Sequence, residues 1–220
     1  MPDVIAFDVL GTLFSLSSLQ PLVADAGGDA STLAMWFSRL LGDGFAITAA
    51  GDYRTFDDVA KASLRAVLPK AKAAARDRVI TGLTQLDAHP DSAPAMGRAV
   101  QEARVIVLTN GSTSATETLL AHGGLDAFVE AVVSADGVRA WKRRTDPYVR
   151  AAVVADVSPD RMAMVTVHPW DVLGARKAGL STGWCNREGV AFPATFGRAG
   201  VTGPTLLEVV EALVGVTKGA

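Results

Sequence analysis

Asp8 is the first residue of this chain placed to do chemistry. It closes an unbroken β-prone run, Val4 to Phe7, and Gly11 and Thr12 follow it three and four residues later. The run is apolar at every position, which suits a strand buried on both faces inside a parallel sheet. Open α/β sheets bind ligands where their strands end at the carboxyl edge, and Asp8 would stand there. Gly11 allows a sharp backbone turn, and Thr12 offers a hydroxyl aimed back at the acid. Strand-end aspartates also start turns and cap helices, so Asp8 gains meaning only from its companions.

Three later segments supply them. Val105 to Leu108 is a second buried run, and it ends in Thr109, Asn110, Gly111 and Ser112. Hydroxyl, amide and glycine at a strand end present hydrogen-bond donors to an anion, although Ser112 or Ser114 could simply cap the next helix. Lys142 follows Trp141 in the most basic stretch, with Arg139, Arg143, Arg144 and Arg150, and Tyr148 comes six residues later. Charge runs are usually solvated faces, and Lys142 is taken as the exception. The last segment, Val165 to Val167, ends in His168, Pro169, Trp170 and Asp171. His89 falls in a turn and His122 at a helix end, where a cation is favourable; His168 alone stands at a strand's carboxyl end, where it could also cap a helix. An acid, hydroxyls, a lysine, a histidine and a second acid on one sheet edge have the makings of a site.

The elements that must carry these groups are legible in the same way. After Phe14, helical patterns dominate for about 75 residues. Ser17 or Ser18 is placed to cap a short helix to Gly27-Gly28. Ser31 is placed to cap another through Leu41, ended by Gly42 and Gly44. Thr55, with Asp58 three residues on, opens a helix over Phe56–Leu68; Pro69 breaks it, and Lys70–Leu86 is the fourth. From His89 the chain alternates again. Helices are expected at Ala93–Glu102, Ser114–His122, Pro147–Asp156, Trp170–Ala178 and Leu206–Val214. Strands are expected at Arg104–Leu108, Val129–Ser134, Met162–Val167 and Thr182–Cys185. The expected fold is therefore α/β, a Rossmann-like parallel sheet core formed by residues 1–14 and 89–220. A helical bundle, residues 15–88, is inserted after the first strand as a cap over the carboxyl edge.

Bulk properties narrow the function without naming it. The 220 residues are 49% hydrophobic and 20% charged, ordinary for a soluble globular protein of one large domain or a core with an insertion. A net charge of −2 gives no reason to expect nucleic acid or an anionic membrane as partner. The single cysteine, Cys185, rules out an internal disulfide and suits a small core position. With no signal-peptide pattern and no run long enough to span a bilayer, a cytoplasmic location is expected.

Taken together, Phe-Asp-x-x-Gly-Thr-Leu-Phe (7–14), the helical insertion, Leu-Thr-Asn-Gly-Ser (108–112), Lys142 with Tyr148, and Trp-Asp-x-x-Gly-Ala-x-x-Ala-Gly-Leu (170–180) resemble the haloacid dehalogenase superfamily. Within it, the chain looks most like the L-2-haloacid dehalogenase branch. The resemblance implies that Asp8 attacks the carbon bearing the leaving group and forms an ester, which water then hydrolyses. Lys142 and Thr12 would orient the carboxylate. Thr109, Asn110 and nearby amides would bind the substrate carboxylate or departing halide. His168 and Asp171 would orient or deprotonate the water, and Tyr148 would position Lys142 or the intermediate. Leu10, Phe37, Arg39 and Trp170 would border the substrate. It further implies a small carboxylic acid substrate, no cofactor, and a homodimer.

Two positions favour displacement at carbon over phosphoryl transfer. The superfamily's phosphatases carry a second aspartate two residues after the nucleophile and a Mg²⁺-binding acid four residues before the position of Asp171. Here these are Leu10 and Val167. Without those acids, neither protonation of a leaving oxygen nor an octahedral Mg²⁺ site is easily built. Other positions depart from the dehalogenases themselves. Leu10 stands for their tyrosine, Phe37 for a cap arginine that meets carboxylate and halide, Arg143 for a proline, Thr166 for a serine and His168 for an asparagine. The nearest arginine to Phe37 is Arg39. Hydrolysis of 2-haloacids leads. The alternatives are the same ester chemistry on another leaving group, such as ring opening of a small cyclic amino acid with His168 protonating the amine, a Mg²⁺-dependent phosphatase, and a non-catalytic binding protein.

Overall fold

The computed structural model describes residues 1–215. Six strands, β1 (Val4–Phe7), β2 (Arg104–Thr109), β3 (Ala131–Ser134), β4 (Met162–Thr166), β5 (Ser181–Cys185) and β6 (Val201–Gly203), form one sheet in the order β3-β2-β1-β4-β5-β6. Every pairing is parallel. All four β1 residues are fully buried. Their side chains alternate between two cores, as the strand period requires. Ile5 and Phe7 join Val105, Val107, Ala163 and Val165 on one face, against Ala95, Met96, Val209 and Val210. Val4 and Ala6 join Ile106, Leu108, Met162 and Met164 on the other, against Ala151, Ala152 and Ala175. The chain runs outward from β1 in both directions, through β2 and through β4. The carboxyl end of β1 is therefore the point where the strand order reverses, the usual place for a ligand in such a sheet.

Four helices lie between β1 and the helix that leads into β2: α1 (Gln20–Asp25), α2 (Ala30–Ala49), α3 (Phe56–Val67) and α4 (Ala73–Gly82). The remaining helices are α5 (Ser92–Ala99), α6 (Thr113–His122), α7 (Thr145–Val154), α8 (Pro169–Lys177) and α9 (Leu206–Gly215). No described helix is long and apolar enough to cross a membrane. Element types agree with the sequence expectations; several boundaries do not. Ser15, not Ser17 or Ser18, accepts the capping bond, and it opens a short 3₁₀ turn before α1. Asp29, not Ser31, caps α2: its carboxylate accepts from the Thr32 N–H at 2.8 Å while the Thr32 hydroxyl accepts from the Asp29 N–H. α4 is shorter at both ends than Lys70–Leu86. β6 went unanticipated, because three residues flanked by Gly200, Gly203 and Pro204 read as a loop until Thr202 and its neighbours pair with β5.

The largest difference is α2, which continues eight residues past Leu41 despite Gly42 and Gly44. Gly44 has a packing reason. Any side chain there would enter the ring of Trp141, a residue of the sheet layer. Trp141 lies buried against Phe56, stacked at 5.7 Å, and donates its indole N–H to the Arg54 carbonyl at 2.9 Å. Its backbone N–H donates to the Thr48 hydroxyl at 3.3 Å. Trp141 thus joins α2 and α3 to the carboxyl edge. Trp36 does the corresponding work between α2 and α3, donating to Ala60 and Ser63.

The two glycines of α2 predict opposite outcomes. Gly42→Ala has nothing within 4 Å of the new methyl and gains about 0.5–1 kcal/mol of stability from helix propensity. Gly44→Ala drives a methyl into the Trp141 ring and loses about 1–3 kcal/mol. Chemical denaturation of both variants checks the pair.

Candidate active site

Four chain segments meet at the end of β1. Asp8 extends the sheet by one bond, its N–H donating to the Val165 carbonyl at 3.0 Å, and the residue is 5% exposed. Gly11 then takes φ 83°, the left-handed region that glycine enters freely. That turn brings Thr12 back: its hydroxyl donates to Asp8 Oδ2 at 2.7 Å and accepts from the Val167 N–H at 3.1 Å. Leu13 and Phe14 donate to the Val9 carbonyl and close the turn.

Lys142 holds the other carboxylate oxygen. Its ammonium donates to Asp8 Oδ1 at 2.5 Å, to Asp171 Oδ2 at 3.0 Å and to the Leu108 carbonyl at 2.9 Å. Those three acceptors match the three N–H bonds of an ammonium. Its backbone is fixed as well, through a 2.8 Å bond from the Lys142 N–H to Asn110 Oδ1. The following residue, Arg143, sits at φ 93°, a backbone that the proline ring forbids, and its guanidinium lies over Phe45 at 4.0 Å. Tyr148 donates to Asp171 Oδ1 at 2.6 Å and accepts from the Arg143 N–H at 3.3 Å.

The charges separate as follows. Burial by itself raises the Asp8 carboxyl; the charges of Lys142 and His168 and the hydrogen bonds from Lys142 and Thr12 outweigh it and hold Asp8 below the usual carboxylate range. Burial works against the Lys142 ammonium too, but Asp171 and Asp8 together keep it above its ordinary value. Asp171 is pushed up, first by burial and then by the nearby Asp8 charge. The Tyr148 phenol is raised well above its ordinary value by burial and by Asp171. Of the two carboxyls Asp8 is therefore the one held toward its anionic form, with a proton donor on each oxygen.

His168 lies on the opposite side. Its Nε2 is 3.4 Å from Asp8 Oδ2 and donates to the Leu10 carbonyl at 2.9 Å. The imidazole stacks on Trp170 at 4.9 Å and meets Phe37 at 6.2 Å. A cavity of about 20 Å³, room for about one water, is lined by Asp8, Leu10, Phe37, Leu41, Phe56, Thr109, Asn110, Gly111, His168 and Trp170.

Most of the residues singled out in the sequence meet here, and two take other positions. Arg39 points into solvent and pairs with Asp43 at 3.3 Å; helix α2 turns Phe37 toward Asp8, and a residue two places on faces elsewhere. Asp171 is fully buried behind Lys142, where it accepts from the ammonium, and does not line the cavity at Asp8; Tyr148, also buried, donates to Asp171 and so stands on the Lys142 side, as expected. Leu41, Phe56 and Gly111 were missed. Leu41 lies one helical turn after Phe37, a signal present in the spacing; Phe56 carries none, because it approaches through the fold of α3.

The donor set does not suit a divalent cation. The place between the two carboxylates is filled by the Lys142 ammonium, and Val167 and Leu10 offer no carboxylate. Among the described residues no group of three or more His, Cys, Asp or Glu could hold a metal.

Lys142 also ties the site to folding. Lys142→Met leaves Asp8 and Asp171 buried without their cation and is expected to cost about 3–5 kcal/mol, read by chemical denaturation. Asp8→Asn removes one charge and keeps the shape, so its loss of stability is smaller.

The sequence and the fold have counterparts in known proteins. The family model for haloacid dehalogenase-like hydrolases matches residues 2–179. The chain is 28% identical over 190 residues to (S)-2-haloacid dehalogenase 4A of Burkholderia cepacia, spanning 83% of this chain and 82% of that protein. It is 27% identical over 222 residues to haloacetate dehalogenase H-2 of Moraxella sp. (strain B), spanning 96% of each. The fold superposes on L-2-haloacid dehalogenase from Xanthobacter autotrophicus with a TM-score of 0.89 at 22% identity, covering 99% of this chain and 100% of that one. With the family model spanning most of its length, the chain belongs to the haloacid dehalogenase-like hydrolases.

Proposed function

We propose that this protein is a metal-independent hydrolase acting at an sp³ carbon through an ester on Asp8, with 2-haloacids as its leading substrate class. The observation that carries the reading is the Lys142 ammonium on Asp8 Oδ1, which holds a buried carboxylate toward its anionic form. A desolvated carboxylate is a stronger nucleophile than a hydrated one, and a halide departs without a proton. In this scheme an Asp8 oxygen attacks the carbon bearing the halogen. The carbon–halogen bond breaks, the halide takes the bonding pair, and an ester remains. Water then adds to the Asp8 carboxyl carbon, and expulsion of the alcohol oxygen from that carbon regenerates the carboxylate. The products are a 2-hydroxyacid, a halide and one proton.

Thr12 and Lys142 orient Asp8, and both donate to negative oxygen as the ester's acyl carbon becomes tetrahedral. The Asn110 amide, the Thr109 hydroxyl and the first N–H groups of α6 are assigned to the substrate carboxylate. The helices within residues 15–88 act as a cap that excludes bulk water. The names of the curated relatives support the same chemistry.

His168 and Phe37 favour a second reading, with the same ester and a leaving group that must be protonated, such as a ring amine. The imidazole stands 3.4 Å from Asp8 Oδ2, and the surface facing it is aromatic.

Halide release from 2-chloro, 2-bromo and 2-fluoro acids, both enantiomers, in EDTA tests the proposal. Turnover should be unaffected by EDTA, and Asp8→Asn should lose it by about 10³-fold or more. No release from any acid by the folded protein sinks the haloacid reading and leaves the amine leaving group.

A further inference from the structure

The cavity at Asp8 is small, and a much larger one adjoins it. A chamber of about 260 Å³ lies between α3, the end of α4 and the first turns of α6. Its walls include Val9, Phe56, Ile80, Leu83, Ala115 and Leu119. Leu10, Phe56, Thr109 and Gly111 border both spaces, so the chamber is continuous with the wall of the nucleophile's cavity. Close-packed interiors leave few voids larger than a water, and an apolar one of this size beside a reactive carboxylate has room for a ligand. Among the described residues, the charged ones on its lining are Asp57 and Asp136. Asp57 is exposed and pairs with Lys61, and Asp136 accepts from Tyr53. Among the described residues the lining offers no cation to receive a second carboxylate.

Resting on the reaction proposed above, we infer that the substrate carries an uncharged apolar tail of several carbons, seated in this chamber past Leu10. The reacting carbon lies against Asp8, and its carboxylate lies toward Thr109, which borders both spaces. The tail runs between Leu10 and Phe56 toward Ile80, Leu83 and Leu119. Leu10 is the specificity residue in this arrangement: a half-buried leucine shared by both walls stands where the two spaces meet, and a larger side chain there would separate them. A terminal carboxylate on the tail would meet Asp57 and Asp136 and is disfavoured.

Binding and turnover are read separately. Calorimetric titration of the full chain with acetate, butanoate, hexanoate and octanoate should show affinity rising about 3–4-fold per added methylene up to hexanoate. Ala115→Phe and Leu83→Trp each fill the chamber from a different element, so one informative variant survives if the other fails to fold. In either, the gain from butanoate to hexanoate should vanish, and the ratio of kcat/KM for 2-bromohexanoate over 2-bromopropanoate should fall at least tenfold. An affinity independent of chain length, or a rise that persists in both filled variants, overturns the chamber as the tail site. Halide release with a flat chain-length profile overturns the chamber and leaves the reaction standing. A rising profile without halide release from any bromoacid supports the chamber and overturns the reaction.

Discussion

The buried ammonium of Lys142 is the interaction on which the rest of the site depends. Two carboxylates that far from water would repel each other and take up protons; one cation between them lets Asp8 stay charged. The arrangement is asymmetric in a useful way. Asp171 is the more deeply buried and receives Tyr148 as a second donor, so it serves as a fixed support. Asp8 faces the cavity. A metal would supply similar charge but would also require more oxygen ligands than these residues provide.

That ion pair constrains the backbone around it. Lys142 must leave the loop after β3 at the right height to reach Leu108, Asp8 and Asp171 together. Asn110 fixes its N–H, and Arg143 takes a left-handed backbone beside it, a conformation of order 1–3 kcal/mol above the usual ones. Trp141, one residue earlier, is buried against α2 and α3. Neighbouring residues thus fasten the helical insertion to the sheet and bring the ammonium to Asp8. The placement of the insertion and the electrostatics of the site are parts of one loop.

The surface facing Asp8 is more aromatic and less charged than the sequence resemblance alone would suggest. Phe37, Phe56 and Trp170 meet His168 there, and Arg39 is turned away. Neutral donors lie at the sheet edge and the start of α6, while the helical insertion contributes an aromatic wall.

Much of this was determined by the sequence itself. The apolar runs that end in Asp8, Thr109-Asn110 and His168 are local patterns, and a strand end in a parallel sheet has a defined place. The type of nearly every element and the gathering of those groups on one edge were therefore legible. What needed the tertiary structure was whatever depends on contacts between distant segments. Lys142 meets Asp8 across 134 positions; its basic surroundings do not separate it from the solvated arginines, so the sequence could single it out only by its resemblance, and its burial between two carboxylates belongs to the fold. Gly44 reads as a helix stop until Trp141 explains it, β6 exists only beside β5, and Arg39 is excluded by the rotation of α2. The chamber past Leu10 is formed by three helices that converge from different parts of the chain. Its volume is a property of their packing, and no local pattern encodes it.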